Sequence, residues 1–469
     1  MKSILKILYL FIAVTLFSPI LLLSQLSVPP IFSDHMVLQQ ESMVSIWGMA
    51  TPESKVILKG NWPKAKLTIK SDDKGKWRAS IPSPAAGGPY QLTIKNEESE
   101  LLFQDILFGE VWLCSGQSNM NWSVKKTLTG EKAIAAGEHP QIRVFTVERS
   151  LKDAPVKHFS GSWEKASQET VPEFTAVGYY FALQLQEKLN VPVGIIHSSW
   201  GGSAVEAWIP PSRLVQLPVF TSDTSAYLSM RTEKRDQTSP SLLFNGMLYP
   251  LIPFDIKGVL WYQGEANVGH AQLYQKLFPL MVRSWRETWN IGDFPFYYVQ
   301  IAPFQYPKRE ESAAAELREA QWKNQKIRNA GMVVTMDAGD PTNIHPKDKM
   351  TVAKRLANMA LGDTYNINDI SFQSPSYIFM KKEGDAIRLY FEHTYGSLKS
   401  VGESLTDFEI AGEDKVYKPA KAIIEGETVL VSHPDIPEPA MVRYGWENAA
   451  SPTLMNAADL PASSFRTQN

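Results

Sequence analysis

Between residues 109 and 362 the chain alternates short apolar runs with segments whose apolar residues recur at helical spacing. The apolar runs predict six strands, at residues 110–114, 142–147, 193–197, 258–262, 296–301 and 332–336. One helix is predicted where Leu273, Leu277, Met281 and Trp285 fall four residues apart on one face, and two others at residues 177–189 and 350–361. Strands that alternate with amphipathic helices are typical of an α/β fold with a mostly parallel sheet.

Two β-rich regions are predicted on either side of this α/β part. Residues 25–104 hold short runs of alternating apolar and polar residues separated by turns, without a helical stretch, which favours a β-sandwich-like domain. Similar runs return over residues 376–469. We therefore expect an α/β domain over residues 105–375 between an N-terminal β domain and a C-terminal β-rich region.

The N-terminus predicts export from the cytoplasm. A short basic segment at residues 1–6 precedes an apolar run at residues 7–23, which Ser18 and Pro19 interrupt. This pattern indicates a secretory signal peptide over residues 1–24, with an uncleaved N-terminal anchor as the alternative. No later stretch approaches the ~20 apolar residues of a membrane span. We expect a secreted or periplasmic protein, without stable membrane insertion after signal cleavage.

Charge and composition exclude several classes of protein. The chain has 47 Lys and Arg against 49 Asp and Glu, so there is no basic surplus for nucleic acid. Cys114 is the single cysteine, which excludes an intrachain disulfide framework and a cysteine-based zinc cluster. No pair of histidines has metal-ligand spacing, and no cofactor is expected. No feature of the sequence indicates an oligomeric state.

Four polar motifs follow predicted strands, at the edge where open α/β sheets bind their ligands. The first is residues 116–120, in which Gly116 permits a tight exit from the strand and Ser118 can project its hydroxyl group. Position 120 is Met, so this is not the G-x-S-x-G elbow of α/β-hydrolases. Taken alone, such a serine is more often part of an ordinary turn.

The second and third motifs offer groups that can donate hydrogen bonds. Gly201 and Gly202 leave their backbone N–H groups unobstructed, as an oxyanion hole requires, although a flexible turn is the simpler interpretation. The third motif, at residues 261–267, contains Gln263, whose amide can donate to an oxyanion, and Glu265, which can orient a histidine. An ordinary polar loop is the alternative here.

The fourth motif, at residues 337–346, supplies a candidate general base. His345 lies on a proline-bounded loop with carboxylates nearby, Asp340 among them. Imidazole titrates near neutrality, as a general base should. None of the other seven histidines of the chain has such a setting.

Together these motifs resemble the sialate O-acetylesterase family, within the wider group of SGNH-type hydrolases. The resemblance extends over nearly all of the chain after residue 25, at residues 29–39, 109–120, 201–208, 244–247, 261–265, 344–346, 408–412 and 442–446. It implies an SGNH-hydrolase-like layered catalytic domain over residues 105–375, flanked by the two β-rich regions.

The resemblance also implies roles for individual residues. Ser118 would be the nucleophile and His345 the base, and the oxyanion donors would be the N–H of Ser118, the pair Gly201 and Gly202, and Gln263. SGNH enzymes often carry Asp three residues before the histidine, but that position is Thr342 here. The acid that orients the histidine is therefore either Glu265 or Asp340. Glu265 is preferred, because Pro341 can aim Asp340 away.

The function that the resemblance implies is a serine esterase that removes O-acetyl groups from carbohydrates, above all from 9-O-acetylated sialic acid. An esterase of plant polysaccharides such as acetylated xylan is the first alternative, and a non-catalytic sugar-binding protein is the second. Candidate contacts to the acetylated carbohydrate are Trp200, Trp261, Trp446 and Arg443, the last as a cation for the sugar carboxylate.

Overall fold

The computed structural model describes residues 26–221 and 233–467. The predicted signal peptide, residues 1–24, lies outside the described residues. The N-terminal strands are β1 (Val37–Gln39), β2 (Met43–Met49), β3 (Lys55–Gly60), β4 (Lys66–Lys70), β5 (Lys76–Pro82) and β6 (Gly87–Lys95). The strands of the central sheet are β7 (Glu100–Gly116), β8 (His139–Val147), β9 (Gly161–Ala166), β10 (Val193–Ser199), β11 (Gly258–Tyr262), β12 (Phe296–Val299) and β13 (Ala330–Val333).

Helices connect the central strands, and further strands follow them. The helices are α1 (Ser118–Asn121), α2 (Gly130–Ala135), α3 (Ala176–Leu189), α4 (Pro211–Leu214), α5 (Ala271–Trp289), α6 (Ala313–Lys323) and α7 (Lys349–Met359). The C-terminal strands are β14 (Ser376–Glu383), β15 (Ala386–Glu392), β16 (Leu398–Ser400), β17 (Phe408–Ala411), β18 (Lys418–Pro419), β19 (Lys421–Glu425), β20 (Thr428–Ser432), β21 (Met441–Tyr444), β22 (Leu454–Asn456) and β23 (Phe465–Arg466).

The central sheet has the strand order β13-β12-β11-β7-β10-β8-β9, and every neighbouring pair except β8 and β9 is parallel. This confirms the predicted mixed α/β architecture with a mostly parallel sheet. From β7 the chain first builds β8 and β10 on one side and then β11, β12 and β13 on the other. The order therefore reverses at β7, and open α/β sheets bind ligands at such a reversal, outside the carboxyl ends of the strands.

Helices cover both faces of the central sheet because alternate side chains of the strands point to opposite faces. On one face, α3 and α7 pack with Trp112, Cys114 and Leu260 in one apolar core. On the other face, α5 and α6 pack with Leu113 and Val259 in a second core. The sheet is thus buried on both sides, and only its edges and strand ends are free for function.

Strand β7 joins the N-terminal β region to the central sheet. Its first part pairs antiparallel with β6, from Glu100 to Phe108, and its last part pairs with β10 and β11, from Glu110 to Gly116. The predicted domain boundary between residues 104 and 105 falls inside this continuous strand.

The C-terminal region is β-rich, as predicted, and is tied to the central layer by a buried arginine. Two four-stranded sheets, β14-β15-β20-β19 and β18-β17-β21-β23, contribute to a separate apolar core. Arg318 of α6 is fully buried and donates to Ser464 Oγ at 2.9 Å and to the carbonyl oxygen of Asn448 at 3.1 Å. Because a buried guanidinium needs all its partners, these bonds hold the region in one position.

In the part of the chain that the structure describes, no helix combines the length and the apolar character that crossing a bilayer requires.

The exit from β7 leads to a testable prediction. Gly116 has a positive φ of 132°, and a Cβ atom there would lie 2.1 Å from the carbonyl oxygen of Tyr262. We expect Gly116→Ala to lower the free energy of unfolding by about 3 kcal/mol or more, since strain and overpacking add.

Gly384→Ala is the matched control, measured by urea denaturation. Gly384 also has a positive φ, 62°, but no atom lies within 4 Å of the added Cβ position. Its replacement should cost only the conformational term of about 1–2 kcal/mol. Equal losses in the two variants would contradict the close packing of β7 against β11.

Candidate active site

Ser118 stands at the carboxyl end of β7, where the strand order reverses. The turn before it is held by Gln117, whose backbone N–H donates to the carbonyl oxygen of Tyr262 at 2.9 Å. The side-chain oxygen of Gln117 accepts from the N–H groups of Gly264 and Ala266, each at 3.3 Å. Ser118 is half-buried, and its hydroxyl forms no hydrogen bond with another described residue. The hydroxyl is therefore available to a substrate.

The paired glycines lie beside this serine. The N–H of Trp200 donates to the carbonyl oxygen of Gly116 at 3.1 Å, which joins the ends of β10 and β7. A Cβ atom on Gly201 would lie 3.3 Å from the Cβ of Ser118, whereas one on Gly202 would face Gln237. Among the described residues, the N–H groups of both glycines have no acceptor. Gly201 is thus the closer of the two to Ser118.

His345 is carried to the same place by the loop after β13. Its imidazole stacks on the ring of Trp122, with 4.7 Å between centroids and 18° between planes. Trp122 directly follows α1, which begins with Ser118. The carbonyl oxygen of Ile344 also accepts from Asn119 Nδ2 at 3.0 Å. The histidine loop therefore packs on the short helix that carries the serine.

The surroundings of His345 favour its neutral form. Partial burial lowers the pKa of the imidazole, and the positive charges of Lys349 and Lys126 lower that pKa further. A neutral imidazole is the form that can accept a proton. The imidazole of His345 therefore stays neutral down to a lower pH than an ordinary histidine does.

Asn119 and Lys349 are site residues that sequence reasoning missed. Asn119 Nδ2 donates to Glu265 Oε1 at 2.5 Å, and Lys349 Nζ donates to Asn119 Oδ1 at 2.6 Å. Burial lowers the pKa of Lys349 to about 7 and raises that of Glu265. A lysine in the first turn of α7 opposes the helix dipole, and this was the one signal in the sequence that could have drawn attention to it.

The two candidate acids have different environments. Asp340 Oδ1 accepts from the backbone N–H of Thr342 at 2.9 Å, from its hydroxyl at 2.8 Å and from the N–H of Asn343 at 3.1 Å. These bonds lower the pKa of Asp340 and give it a turn-stabilising role. Glu265 is buried beside the histidine loop, and its Oε2 has no hydrogen-bond partner among the described residues. The structure therefore brings Glu265, and not Asp340, into the network of Asn119.

Two residues of the third motif, Gln263 and Trp261, are fully buried. Gln263 is fully buried, and its Nε2 donates to the carbonyl oxygen of Ser203 at 3.1 Å and to Asn267 Oδ1 at 2.7 Å. Both N–H groups of the amide are thus engaged with acceptors inside the protein, which does not favour the predicted role of Gln263 as an oxyanion donor. Trp261 is also fully buried, in edge-to-face contact with Trp208 and Trp285, so it cannot contact a substrate.

The two predicted substrate contacts in the C-terminal region are engaged with other groups of the protein. Arg443 donates to both carboxylate oxygens of Glu409, at 2.6 and 2.8 Å, which occupies its guanidinium. Trp446 is buried under Arg466, whose guanidinium lies 4.9 Å from its ring centroid. Of the predicted contacts, Trp200 alone is partly exposed beside Ser118.

Comparisons with known proteins identify the family of this chain. Residues 109–362 match the family model described as carbohydrate esterase, sialic acid-specific acetylesterase. The chain belongs to this family. It is therefore a carboxylic ester hydrolase, and the alternative of a non-catalytic sugar-binding protein is not supported. The matched region contains Ser118, Glu265 and His345.

Individual members of the family are similar over most of their length. The human sialate O-acetylesterase is 30% identical over 381 residues, which are 73% of this chain and 72% of the human protein. The mouse sialate O-acetylesterase is 31% identical over 400 residues, with 73% and 74% covered. A carbohydrate acetylesterase from Xanthomonas citri superposes with a TM-score of 0.87 at 35% identity, over 95% of this chain and all of the other.

No group of three or more His, Cys, Asp or Glu side chains arranged to hold a metal ion occurs among residues 26–221 and 233–467.

The charges around His345 lead to a prediction for the pH dependence of this esterase. Lys126 Nζ lies 5.2 Å from the ring centroid of Trp122, on which His345 stacks. Because Lys126→Gln removes a cation that disfavours the imidazolium, the pKa of His345 should rise. The acid limb of kcat/KM should then move to higher pH, on the order of a few tenths of a pH unit at low salt.

Lys125→Gln is the matched control for this measurement. Lys125 is the adjacent exposed lysine, but it pairs with Glu173 and does not act on the pKa of His345. Its variant should keep the wild-type pH profile, and high salt should reduce the shift in Lys126→Gln. An unchanged acid limb in Lys126→Gln would remove His345 as the group that titrates.

Proposed function

We propose that this esterase is a serine carbohydrate O-acetylesterase whose substrate is 9-O-acetylated sialic acid. Ser118 attacks the acetyl carbonyl while His345 accepts the hydroxyl proton, and His345 then returns the proton to the leaving sugar oxygen. An acetyl-Ser118 intermediate remains. Water, deprotonated by the same imidazole, attacks the intermediate; acetate is released as the imidazolium returns this proton to the oxygen of Ser118.

One observation carries this proposal. Ser118 lies at the reversal of the strand order with an unbonded hydroxyl, and the loop of His345 packs on the helix that begins with that serine. Ser118 and the loop of His345 thus lie together at the carboxyl edge of the sheet, where open α/β folds bind their ligands.

The backbone N–H groups of Ser118 and Gly201 are the proposed oxyanion donors, with Gly202 as the further candidate. The 3.3 Å approach of the Gly201 position to Ser118 supports this assignment, since any side chain there would crowd the nucleophile. A donor aimed at the oxyanion is worth roughly 3 kcal/mol in the transition state. Gln263 is not among the proposed oxyanion donors, because both N–H groups of its amide have other acceptors.

Glu265 is the proposed acid partner of His345. A carboxylate beside the imidazole fixes its tautomer and stabilises the imidazolium that forms during attack. The unpartnered Oε2 of Glu265 and the bridge from its Oε1 through Asn119 to the histidine loop support this role. Asp340 lacks a comparable connection, because its carboxylate is engaged within its own turn.

The names of the mammalian relatives support sialic acid as the substrate. The Xanthomonas citri neighbour is a carbohydrate acetylesterase, which is compatible with a second candidate, an acetylated polysaccharide such as xylan. Both substrates place an acetyl ester on a sugar hydroxyl, so the chemistry at Ser118 is the same for either.

The wider setting is also part of the proposal. Helices on both faces of the sheet, with the site at the carboxyl ends of its strands, support an SGNH-like layering of residues 105–375. The basic and apolar start of the sequence supports a signal peptide and a secreted or periplasmic location. The N-terminal β domain, 25–104, and the C-terminal β-rich region, 376–469, would then flank the catalytic layer.

The nucleophile is tested by Ser118→Ala. We expect hydrolysis of p-nitrophenyl acetate and release of acetate from 9-O-acetylated sialic acid to fall by at least ~10³-fold, because the covalent step is lost. The melting temperature should stay within about 2 °C, as the hydroxyl makes no described hydrogen bond. Substantial activity in a folded variant would exclude Ser118 as the nucleophile.

A parallel assay of the wild type on acetylated xylan and on 9-O-acetylated sialic acid decides between the two substrates.

The acid is tested by comparing Glu265→Gln with Asp340→Asn. Glu265→Gln should lower kcat by roughly 10²-fold or more, because the imidazolium loses its counter-charge. Asp340→Asn keeps an acceptor oxygen for the turn and should cost less than about threefold. The reverse ranking would assign the acid to Asp340, and two small effects would leave His345 without an acid partner.

A further inference from the structure

Arg149 is an exposed cation at the active-site edge of the sheet to which no role has been given. It follows β8 by two residues and therefore lies at the same carboxyl edge as Ser118. Its guanidinium lies over the indole ring of Trp200, with 5.6 Å between Cζ and the ring centroid. Among the described residues it has no carboxylate partner. Its charge is therefore available to a ligand.

The sheet order places Arg149 at a definite side of the nucleophile. β8 is the second strand from β7, with β10 between them, and two strand spacings amount to about 10 Å. Trp200 follows β10 and fills this gap, bonded to Gly116 and adjacent to Gly201. His345 approaches from the other side, after β13. Along this edge of the sheet the spatial order is therefore His345, Ser118, Trp200 and Arg149.

The charge of Arg149 acts on a buried histidine on this side of the nucleophile. The neighbouring His197 is buried, and burial together with the charge of Arg149 lowers its pKa to about 4. His197 is therefore neutral near pH 7, with Nε2 2.7 Å from Ser199 Oγ. The residue next to Arg149 in the chain, Glu148, is exposed and makes no ion pair with it. Nothing described on this side neutralises the guanidinium.

We propose that Arg149 and Trp200 form a subsite for an acidic sugar, in which the guanidinium binds the sugar carboxylate and the indole ring packs on the sugar. The planar guanidinium matches a carboxylate with two parallel hydrogen bonds, and the indole presents a flat apolar surface to the ring. Arg149 thereby takes the role that the sequence analysis gave to Arg443, whose guanidinium is occupied by Glu409.

This inference rests on the proposed function, because it assumes that acetyl transfer occurs at Ser118. It goes further than the proposed function by naming the residues that would select acidic over neutral acetylated sugars. Sialic acid carries its carboxylate and its acetylated side chain on either side of the ring oxygen. A carboxylate on Arg149 and an acetyl group at Ser118 therefore call for a ring between them, over Trp200.

The test compares one sugar in two charge states. 9-O-acetylated N-acetylneuraminic acid and its carboxyl methyl ester share the same acetyl group, but only the former is an anion. Wild-type enzyme should prefer the acid by roughly tenfold in kcat/KM, mainly through KM, because a charge-assisted pair forms. Arg149→Gln should lose this preference, mainly through a higher KM for the acid, because the counter-charge to the carboxylate is gone. Arg149→Lys should retain part of it.

Arg328→Gln is the matched control, since Arg328 is also an exposed arginine but precedes β13 at the opposite, amino edge of the sheet. It should keep the wild-type preference. An equal rate on both sugars in the wild type, or an unchanged preference in Arg149→Gln, would overturn the subsite. Hydrolysis of p-nitrophenyl acetate distinguishes failure of the subsite from failure of the proposed function. If wild-type enzyme cleaves neither this ester nor the sugars, the proposed function fails and the subsite fails with it.

Discussion

The side-chain amide of Asn119 is the interaction on which the geometry of the site depends. Its Nδ2 donates to Glu265 and to the carbonyl oxygen of Ile344, and its Oδ1 accepts from Lys349. One buried amide thus connects the serine helix, the loop after β11, the histidine loop and the start of α7. A buried polar network of this kind rigidifies a site, because each broken bond would leave an unpaired polar group in a low dielectric.

The same network controls the charges around the reaction. Burial raises the pKa of Glu265 and lowers those of Lys349 and His345, so desolvation pushes all three groups toward their neutral forms. Lys349 also supplies positive potential near Glu265, which favours the carboxylate. Partial burial and two lysines favour the neutral imidazole of His345, while Glu265 lies in a water-poor position where electrostatic interactions are strong.

The sequence predicted the mostly parallel sheet and the polar motifs that follow its strands, but not which polar groups contact one another. Ser118 and His345 follow strands of a parallel sheet, and such strand ends meet at one edge whatever the details of packing. The contacts of Gln263 and Arg443 could not be inferred from their position relative to a strand. The amide of Gln263 takes two acceptors from other loops, and Arg443 faces Glu409 because of the register between β17 and β21. Trp261 lies on the face of β11 that packs against α5, so it is buried.

What the sequence by itself determined are properties of local pattern. The period of apolar residues indicates strand or helix, and their alternation along the chain indicates a parallel sheet with polar motifs at its edge. Only the tertiary structure decided which polar groups become partners. Asn119 and Lys349 are 230 residues apart, and Arg149 meets Trp200 only because β8 and β10 are neighbours in the sheet. Hydrogen bonds and ion pairs form over about 3 Å, and no local pattern specifies which distant residues come within that distance.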